Sequence, residues 1–374
     1  MLLKKLIFTL IFAVIFSFSV YSADEPQLSA ECAVLINAET LEVIFKKNAN
    51  KSHSMASTTK IMTALLALES GRLGETVTAR NLVTEGTSIG LKDGYKLSLE
   101  VLTWGMLLES GNDAAKLTAD FLAGSEENFA LLMNEKAGEI GMTSTNFVTA
   151  SGLDSREHYS TAYDMALLGA YAVKNPLFRE ICSAKSKTVR FIKPDISLTF
   201  YNHNRLLSSC EGVFGIKTGF TKKSGRCLVS ACLRQGVTLV AVTLNAGDDW
   251  NDHKKLYDYG YDKTVTESAC LRLPESIKVY GGNKNTLAIT ADEERTVYSY
   301  SGEKGEIRQK LYLKEFLYAP IKKGEIVGKA VIIRNGKEIA ETDITAAHDI
   351  SAAEPVSTPT LWERIYNRII DIFR

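Results

Sequence analysis

Residues 53–71 have the sequence HSMASTTKIMTALLALESG, and this stretch determines how the rest of the chain is interpreted. Its apolar residues recur at roughly helical spacing and Ser70-Gly71 provides a C-terminal stop, so the sequence predicts a helix. Ser57 stands at the start of that helix, and Lys60 follows three residues later. Because residues three apart share one face of a helix, the lysine amine can meet the serine hydroxyl.

The Ser57–Lys60 pair has the chemistry of a nucleophile and its base. A serine hydroxyl is a poor nucleophile until a base takes its proton, and a partly desolvated lysine is neutral enough to do so. Backbone N–H groups at the helix start would favour a developing oxyanion. Taken alone, the same spacing is more typical of a helix cap beside a solvated lysine, so the rest of the chain has to decide.

Two further short motifs follow in order, Ser110-Gly111-Asn112 and Lys217-Thr218-Gly219. The first falls where two predicted helices meet, so its side chains can point into a cleft. The second lies on a predicted strand that can flank the cleft, and a sheet edge there can pair with an extended peptide. S-x-x-K, S-x-N and K-T-G in this order mark penicillin-binding proteins and serine β-lactamases.

Composition indicates a globular protein. The 374 residues suffice for two domains, and 45% hydrophobic with 24% charged residues is ordinary globular usage. Lys plus Arg and Asp plus Glu both number 44, so the net charge of zero gives no support for nucleic-acid binding. The six cysteines form no C-x-x-C pair or Cys/His cluster, and we expect neither a metal nor a cofactor. Cys227 and Cys232, five apart in one predicted strand, are expected to be buried free thiols on opposite faces.

The N-terminus predicts export. A basic start at Lys4-Lys5 precedes an apolar run at residues 6–16, and small residues near Ser22-Ala23 suit cleavage. This order is the pattern of a secretory signal peptide, which we assign to residues 1–22. The alternative is an uncleaved membrane anchor, for which the apolar run is short.

The pattern along the chain predicts an α+β catalytic domain over residues 23–265, because helices packed on an antiparallel sheet form such a domain. The predicted strands are a hairpin at 32–45 and a meander at 212–220, 226–234 and 237–245. The predicted helices after the first are at 99–108, 114–124, 126–141, 162–173 and 252–259.

Three smaller segments follow. Short β-rich runs predict a small all-β domain at 266–350. Residues 351–359 are rich in Ala, Ser, Pro and Thr, which predicts a linker. Residues 360–374 predict an amphipathic helix of roughly 20 Å at ~1.5 Å per residue, too short to span a bilayer. We expect this helix to lie on an anionic membrane surface, with packing back onto the protein as the alternative.

The chain resembles the low-molecular-mass penicillin-binding proteins of the D-alanyl-D-alanine carboxypeptidase type. The likeness covers residues from about 28 to 345 and extends past the three motifs. It includes Gly152-Leu153, His158–Asp164, Asn204–Leu207 and Ala319–Gly324. The resemblance implies a penicillin-binding/β-lactamase-like transpeptidase domain, then a small all-β domain and a C-terminal amphipathic helix.

The resemblance also implies a role for each motif residue. Ser57 would attack the carbonyl between two D-alanines and form an acyl-enzyme, Lys60 would be its base, and Ser110 would relay a proton to the departing D-alanine. The backbone N–H groups of Ser57 and Phe220 would form the oxyanion hole. The substrate-binding set would be Asn112 for the substrate amide, Lys217 for positive charge, Thr218 for the terminal carboxylate, and Gly219 and Phe220.

Two positions depart from the family pattern. The residue after K-T-G is often His and is Phe220 here, so a backbone role survives and a side-chain role does not. Many members carry an Arg after the third strand that helps bind the substrate carboxylate. The matching place here is near Asp252, and Arg226 or Lys222 could compensate. We also predict that His158 is structural, since Lys60 already supplies a base.

The predicted function is an exported serine-type D-Ala-D-Ala carboxypeptidase on the outer face of the bacterial cytoplasmic membrane. Its substrate would be the peptidoglycan stem peptide, and β-lactams would be covalent inhibitors. A D,D-endopeptidase would keep the same residues. A class A β-lactamase would need an additional Glu, and no convincing segment for it occurs between Asn112 and Lys217. A non-enzymatic wall-binding protein is disfavoured because Ser57, Lys60 and Lys217 are all present.

Overall fold

The computed structural model of the chain describes residues 25–83, 85–291, 294–299, 306–334, 336–354 and 361–372. The predicted signal peptide lies outside these ranges, and so does the part of the predicted linker beyond residue 354.

A large first domain carries eight helices and nine strands within the described ranges. Its strands are β1 (Cys32–Asn37), β2 (Val43–Lys47), β3 (Thr76–Thr78), β4 (Lys96–Ser98), β5 (Ser186–Arg190), β6 (Ser197–Tyr201), β7 (Val213–Thr221), β8 (Gly225–Arg234) and β9 (Val237–Ala246). Its helices are α1 (Lys60–Glu69), α2 (Leu99–Leu108), α3 (Asn112–Ala123), α4 (Glu126–Ile140), α5 (Ala162–Ala172), α6 (Pro176–Ser183), α7 (Leu206–Ser209) and α8 (Asp249–Asp262).

An antiparallel five-stranded sheet in the order β2-β1-β9-β8-β7 organises this domain. β7, β8 and β9 form the predicted meander, and β1 pairs with β9, so the N-terminal hairpin extends the same sheet. β7 lies at one edge of the sheet.

Helices cover both faces of this sheet because its strands are apolar on both sides. Val34 in β1 enters the core that contains α5, and the next residue, Leu35, enters the core that contains α8. α5 packs so closely that a Cβ on its Gly169 would lie 3.0 Å from Val240. Each fully buried aliphatic side chain contributes about 1.5–3 kcal/mol to such a core.

The two cysteines of β8 lie in these two different cores. Cys227 belongs to the core with α5 and Cys232 to the core with α8. Both are buried free thiols, as the odd spacing predicted. Burial raises the pKa of each thiol to about 11.

Some helix boundaries differ from the sequence prediction because polar side chains at the helix ends, which the apolar spacing does not include, determine where a helix begins. Ser98 caps α2 as expected, since its hydroxyl accepts a hydrogen bond from the Val101 N–H at 3.2 Å. α8 begins at Asp249, three residues before the predicted start, with two aspartates in its first turn, which favour a helix N-terminus. α6 and the β5–β6 hairpin were not predicted.

A second, all-β domain follows, and this prediction is confirmed. It contains a two-stranded sheet, β10–β13, and a six-stranded sheet in the order β14-β16-β17-β12-β11-β15. Its strands are β10 (Val265–Cys270), β11 (Ser276–Tyr280), β12 (Thr286–Thr290), β13 (Glu294–Ser299), β14 (Ile307–Leu313), β15 (Phe316–Tyr318), β16 (Ile326–Arg334) and β17 (Lys337–Ala346). The final element described is the helix α9 (Leu361–Ile372).

Candidate active site

A one-turn 3₁₀ helix, Ala56–Thr59, presents Ser57, and α1 begins only at Lys60. We predicted Ser57 at the start of an α-helix. The tighter turn preserves the predicted meeting, because a 3₁₀ turn also brings residues i and i+3 together. The Lys60 Nζ lies 2.9 Å from the Ser57 Oγ. Ala56 holds a positive φ of 47°, and the Thr59 hydroxyl donates to the Ala56 carbonyl at 2.8 Å.

Lys60 is fully buried, and its amine contacts three oxygen atoms. Besides Ser57 Oγ, Nζ donates to Asn112 Oδ1 at 2.6 Å and to the Ser151 carbonyl at 2.7 Å. Burial, followed by the nearby charge of Lys217, holds the pKa of Lys60 well below its usual range. A neutral amine keeps two N–H donors for the asparagine and the carbonyl, which leaves its lone pair for the Ser57 proton.

Ser110 and Asn112 come from the junction of α2 and α3. Ser110 lies on this junction with a positive φ of 62°, and Asn112 is the first residue of α3. The Asn112 Nδ2 donates to the Glu85 carbonyl at 2.6 Å, and its backbone N–H to the Thr87 carbonyl at 2.8 Å. Asn112 thereby links the segment before α2 to Lys60.

The Lys217-Thr218-Gly219 motif lies on the edge strand β7, beside the Ala56–Thr59 turn. A Cβ on Gly219 would lie 3.0 Å from the Ser57 backbone nitrogen, so the missing side chain lets the strand backbone approach that amide. Lys217 is buried, and its Nζ donates to the Thr218 carbonyl at 2.9 Å. Burial lowers the pKa of Lys217 to about 7.

A cleft of about 420 Å³ opens over Ser57. Five predicted site residues line it: Ser57, Ser110, Thr218, Gly219 and Phe220. The other three, Lys60, Asn112 and Lys217, are buried. Six further residues line the cleft: Thr87, His203, Arg205, Arg226, Asp249 and Trp250. Of these, the sequence had suggested only Arg226, as a possible substitute for the missing arginine.

Residues 19–248 match the family model described as D-alanyl-D-alanine carboxypeptidase, which is more than half of the chain. The chain belongs to this carboxypeptidase family. Residues 259–352 match a second model, the C-terminal domain of penicillin-binding protein 5. The predicted fold class, a penicillin-binding domain followed by an all-β domain, is confirmed.

Curated relatives carry the same family name. The D-alanyl-D-alanine carboxypeptidase DacF of Bacillus subtilis is 30% identical over 339 residues, covering 87% of this chain and 86% of the relative. The D-alanyl-D-alanine carboxypeptidase DacC of Escherichia coli is 33% identical over 349 residues, covering 88% of this chain and 86% of the relative.

Solved structures agree with the whole two-domain arrangement. Penicillin binding protein 5 from Haemophilus influenzae has a TM-score of 0.63 and 28% identity, covering 87% of this chain and 99% of that chain. The D-alanyl-D-alanine carboxypeptidase DacD from Francisella tularensis has a TM-score of 0.60 and 26% identity, covering 88% of this chain and 95% of that chain.

His158 of this carboxypeptidase-family chain contacts the 3₁₀ turn that carries Ser57. Its Nε2 lies 2.8 Å from the Thr59 Oγ1, and its Nδ1 accepts the Val148 N–H at 3.1 Å. The Nδ1 contact fixes the tautomer in which Nε2 carries the proton. Burial lowers the pKa of His158 to about 4, so the ring is neutral. These contacts agree with the predicted structural role.

Asp252, near the position at which the family resemblance predicted an arginine, does not line the cleft over Ser57. Its buried carboxylate accepts hydrogen bonds from the Ser29 N–H at 2.9 Å, the Ser29 hydroxyl at 2.8 Å and the Ala30 N–H at 2.8 Å. It therefore ties the start of the domain to α8. Of the two suggested substitutes, Arg226 lines the cleft, whereas Lys222 lies in the exposed turn after β7.

Proposed function

We propose that the chain is a serine-type D-Ala-D-Ala carboxypeptidase that removes the terminal D-alanine from peptidoglycan stem pentapeptides. The observation that carries this proposal is the Ser57 hydroxyl, 2.9 Å from the amine of a fully buried lysine, at the floor of an open cleft. The family membership supports the choice of substrate.

In the acylation step, Lys60 takes the Ser57 proton while the serine oxygen attacks the carbonyl carbon of the penultimate D-alanine. The depressed lysine pKa supports this role, because a base must be neutral at working pH. The N–H groups of Ser57 and Phe220 stabilise the oxyanion. The close approach of Gly219 to the Ser57 amide supports this pairing.

Departure of D-alanine requires a proton on its nitrogen, which Ser110 relays. Asn112 is the residue for the substrate amide. Its Oδ1 accepts from Lys60 and its Nδ2 donates one hydrogen to the Glu85 carbonyl, so the second Nδ2 hydrogen is the donor for the peptide. Water then attacks the acyl-enzyme, again with the lysine as base, and releases the shortened peptide.

Thr218 binds the terminal carboxylate of the substrate, and Lys217 supplies positive charge beside it. Lys217 is half-protonated near pH 7, since burial lowers its pKa to about 7. An arriving carboxylate favours the charged ammonium, so substrate binding and protonation of Lys217 support each other.

The first test is the intact mass of residues 23–354 with and without penicillin, alongside D-alanine release from a pentapeptide ending in D-Ala-D-Ala. We expect one penicilloyl adduct and free D-alanine. An adduct without D-alanine release points to an endopeptidase or a binding-only protein, and rapid penicillin turnover without a lasting adduct points to a β-lactamase. Absence of any adduct contradicts the active-site assignment.

We also propose that the exported enzyme rests on the outer face of the cytoplasmic membrane through α9. Trp362, Ile365, Tyr366, Ile369 and Ile370 are all exposed on this helix, which supports an apolar face available to lipid rather than packed on the protein. Among the described helices, none has the length and apolar character to cross a bilayer.

Vesicle sedimentation tests the role of α9. We expect residues 23–374 to co-sediment with anionic vesicles, and Ile369→Asp to reduce the bound fraction several-fold because it places a charge on the lipid-facing side. Asp371→Asn is the matched control and should bind at least as well. Undiminished binding by a chain that ends at residue 354 would contradict the proposal.

A further inference from the structure

The cleft contains two guanidinium groups, Arg205 and Arg226, that the proton-transfer steps do not use. The proposed substrate ends in a carboxylate on the leaving D-alanine. A guanidinium offers five N–H donors in a planar fork that matches a carboxylate, and such charge-assisted pairs are the stronger hydrogen bonds in proteins. Both arginines line the same cleft as Thr218.

The sheet register brings Arg226 to the end of the third motif. Arg226 in β8 pairs directly with Phe220, two residues past Thr218 in β7. On the other side it pairs with Ala246, whereas Leu228 already pairs with Thr243, so β9 carries an extra residue at this point. A bulge of this kind increases local twist and redirects side chains next to active sites.

A buried carboxylate anchors the arginine from behind. The Arg226 Nη1 lies 3.7 Å from the Asp249 Oδ1, and the Asp249 side chain is only 5% exposed while that of Arg226 is 53% exposed. Asp249 is itself fixed as the first residue of α8. One side of the guanidinium therefore faces a fixed charge, and the rest of the group remains available to the cleft.

We propose that Arg226 binds the terminal carboxylate of the substrate together with Thr218, and that Asp249 is the positioning residue that holds its guanidinium at the cleft wall. This assignment rests on the proposed function for the identity of the substrate. It makes Arg226 a specificity determinant, because the pair selects peptides with a free terminal carboxylate over peptides whose terminus is amidated.

Two peptides test the assignment: an acylated tripeptide ending in D-Ala-D-Ala and the same peptide with a C-terminal amide. We expect Arg226→Gln to lower kcat/KM for the free acid by roughly 10- to 100-fold, mainly through KM, since a charge-assisted hydrogen bond is lost. The amide should lose much less, so discrimination between the two peptides falls. Lys222→Gln removes the same charge from the same hairpin and should leave the discrimination unchanged.

The outcomes separate this inference from the proposed function. If the wild-type enzyme releases no D-alanine from the free acid, the proposed function fails, and this inference fails with it. If the wild-type enzyme is active and Arg226→Gln keeps its discrimination, the assignment of Arg226 alone is overturned. Should Arg226→Gln fail to fold, Arg226→Lys keeps the charge without the fork, and we expect an intermediate KM for the free acid.

Two more variants test whether the discrimination between free acid and amide depends on Arg226 and on its contact with Asp249. Arg205 is exposed just before α7, and Arg205→Gln should alter discrimination less than Arg226→Gln does. The reverse order would overturn the choice between the two arginines. Asp249→Asn should raise KM for the free acid with little change in kcat, because the guanidinium loses its anchor. Unchanged discrimination in Asp249→Asn would overturn the positioning role.

Discussion

Ser57→Ala is expected to abolish both D-alanine release and the penicilloyl adduct while leaving the fold intact. The loss in kcat should be about 10⁶-fold, the size seen when a serine nucleophile is removed from a catalytic unit. The fold should survive because the Ser57 hydroxyl borders the open cleft and contacts the Lys60 amine rather than a structural backbone group. The measurements are intact mass after penicillin treatment, D-alanine release and the thermal midpoint.

Ser52→Ala is the matched control for this experiment. Ser52 is an exposed serine five residues before the nucleophile, and its alanine variant should keep both the adduct and D-alanine release. A penicilloyl adduct that persists in Ser57→Ala, and that peptide mapping places on another serine such as Ser110, would contradict the assignment of the nucleophile.

The sequence predicted that Ser57 and Lys60 meet because the geometry of this pair is local. Ser57 and Lys60 are three residues apart, and both a 3₁₀ turn and an α-helix bring them together. The sequence therefore could not decide between the two kinds of turn. Asn112 was assigned to the substrate amide, and its contact with the Lys60 amine, across 52 residues, appeared only in the structure.

The acidic and basic residues of the cleft wall could not be predicted in the same way. Arg226 and Asp249 are brought together by the β8–β9 pairing, its extra residue, and the early start of α8. A one-residue change in register moves a side chain to the other face of a sheet, so spacing alone does not place them. The position near Asp252 indicated that an expected arginine was absent, and only the fold showed that Arg205 and Arg226 line the cleft.

Lys60 and Lys217 are both buried, and the charge of one affects the pKa of the other. Burial lowers the pKa of both Lys60 and Lys217, and the charge of Lys217 lowers that of Lys60 further. The charge that a bound carboxylate would restore on Lys217 is offset by the carboxylate itself, so burial remains the main reason that the pKa of Lys60 is low.

Lys60→Gln should lower the rate of acylation by roughly 10³-fold or more, because the variant lacks a general base while the glutamine amide can still hydrogen-bond to its neighbours. Lys60→Arg should be as inactive, since a guanidinium stays charged and cannot accept the serine proton. Both rates are measurable from the time course of the penicilloyl adduct. An active Lys60→Arg enzyme would show that the positive charge, rather than a base, is what acylation requires.

Lys60→Gln also tests how the free energy of unfolding depends on pH. In the unfolded chain Lys60 titrates near its usual 10.5, whereas the folded value lies well below that, so the unfolded state binds more protons between the two values. The contribution of Lys60 to stability therefore falls as pH decreases through this window. Lys60→Gln does not lose stability in this way. As pH is lowered from about 10 towards neutrality, its thermal midpoint should therefore rise relative to that of the wild-type enzyme.

Lys222→Gln, at an exposed lysine, is the control, and its thermal midpoint should change with pH as that of the wild-type enzyme does. A constant difference between Lys60→Gln and wild type across this range would mean that Lys60 is charged in the fold, and the base would then have to be another group.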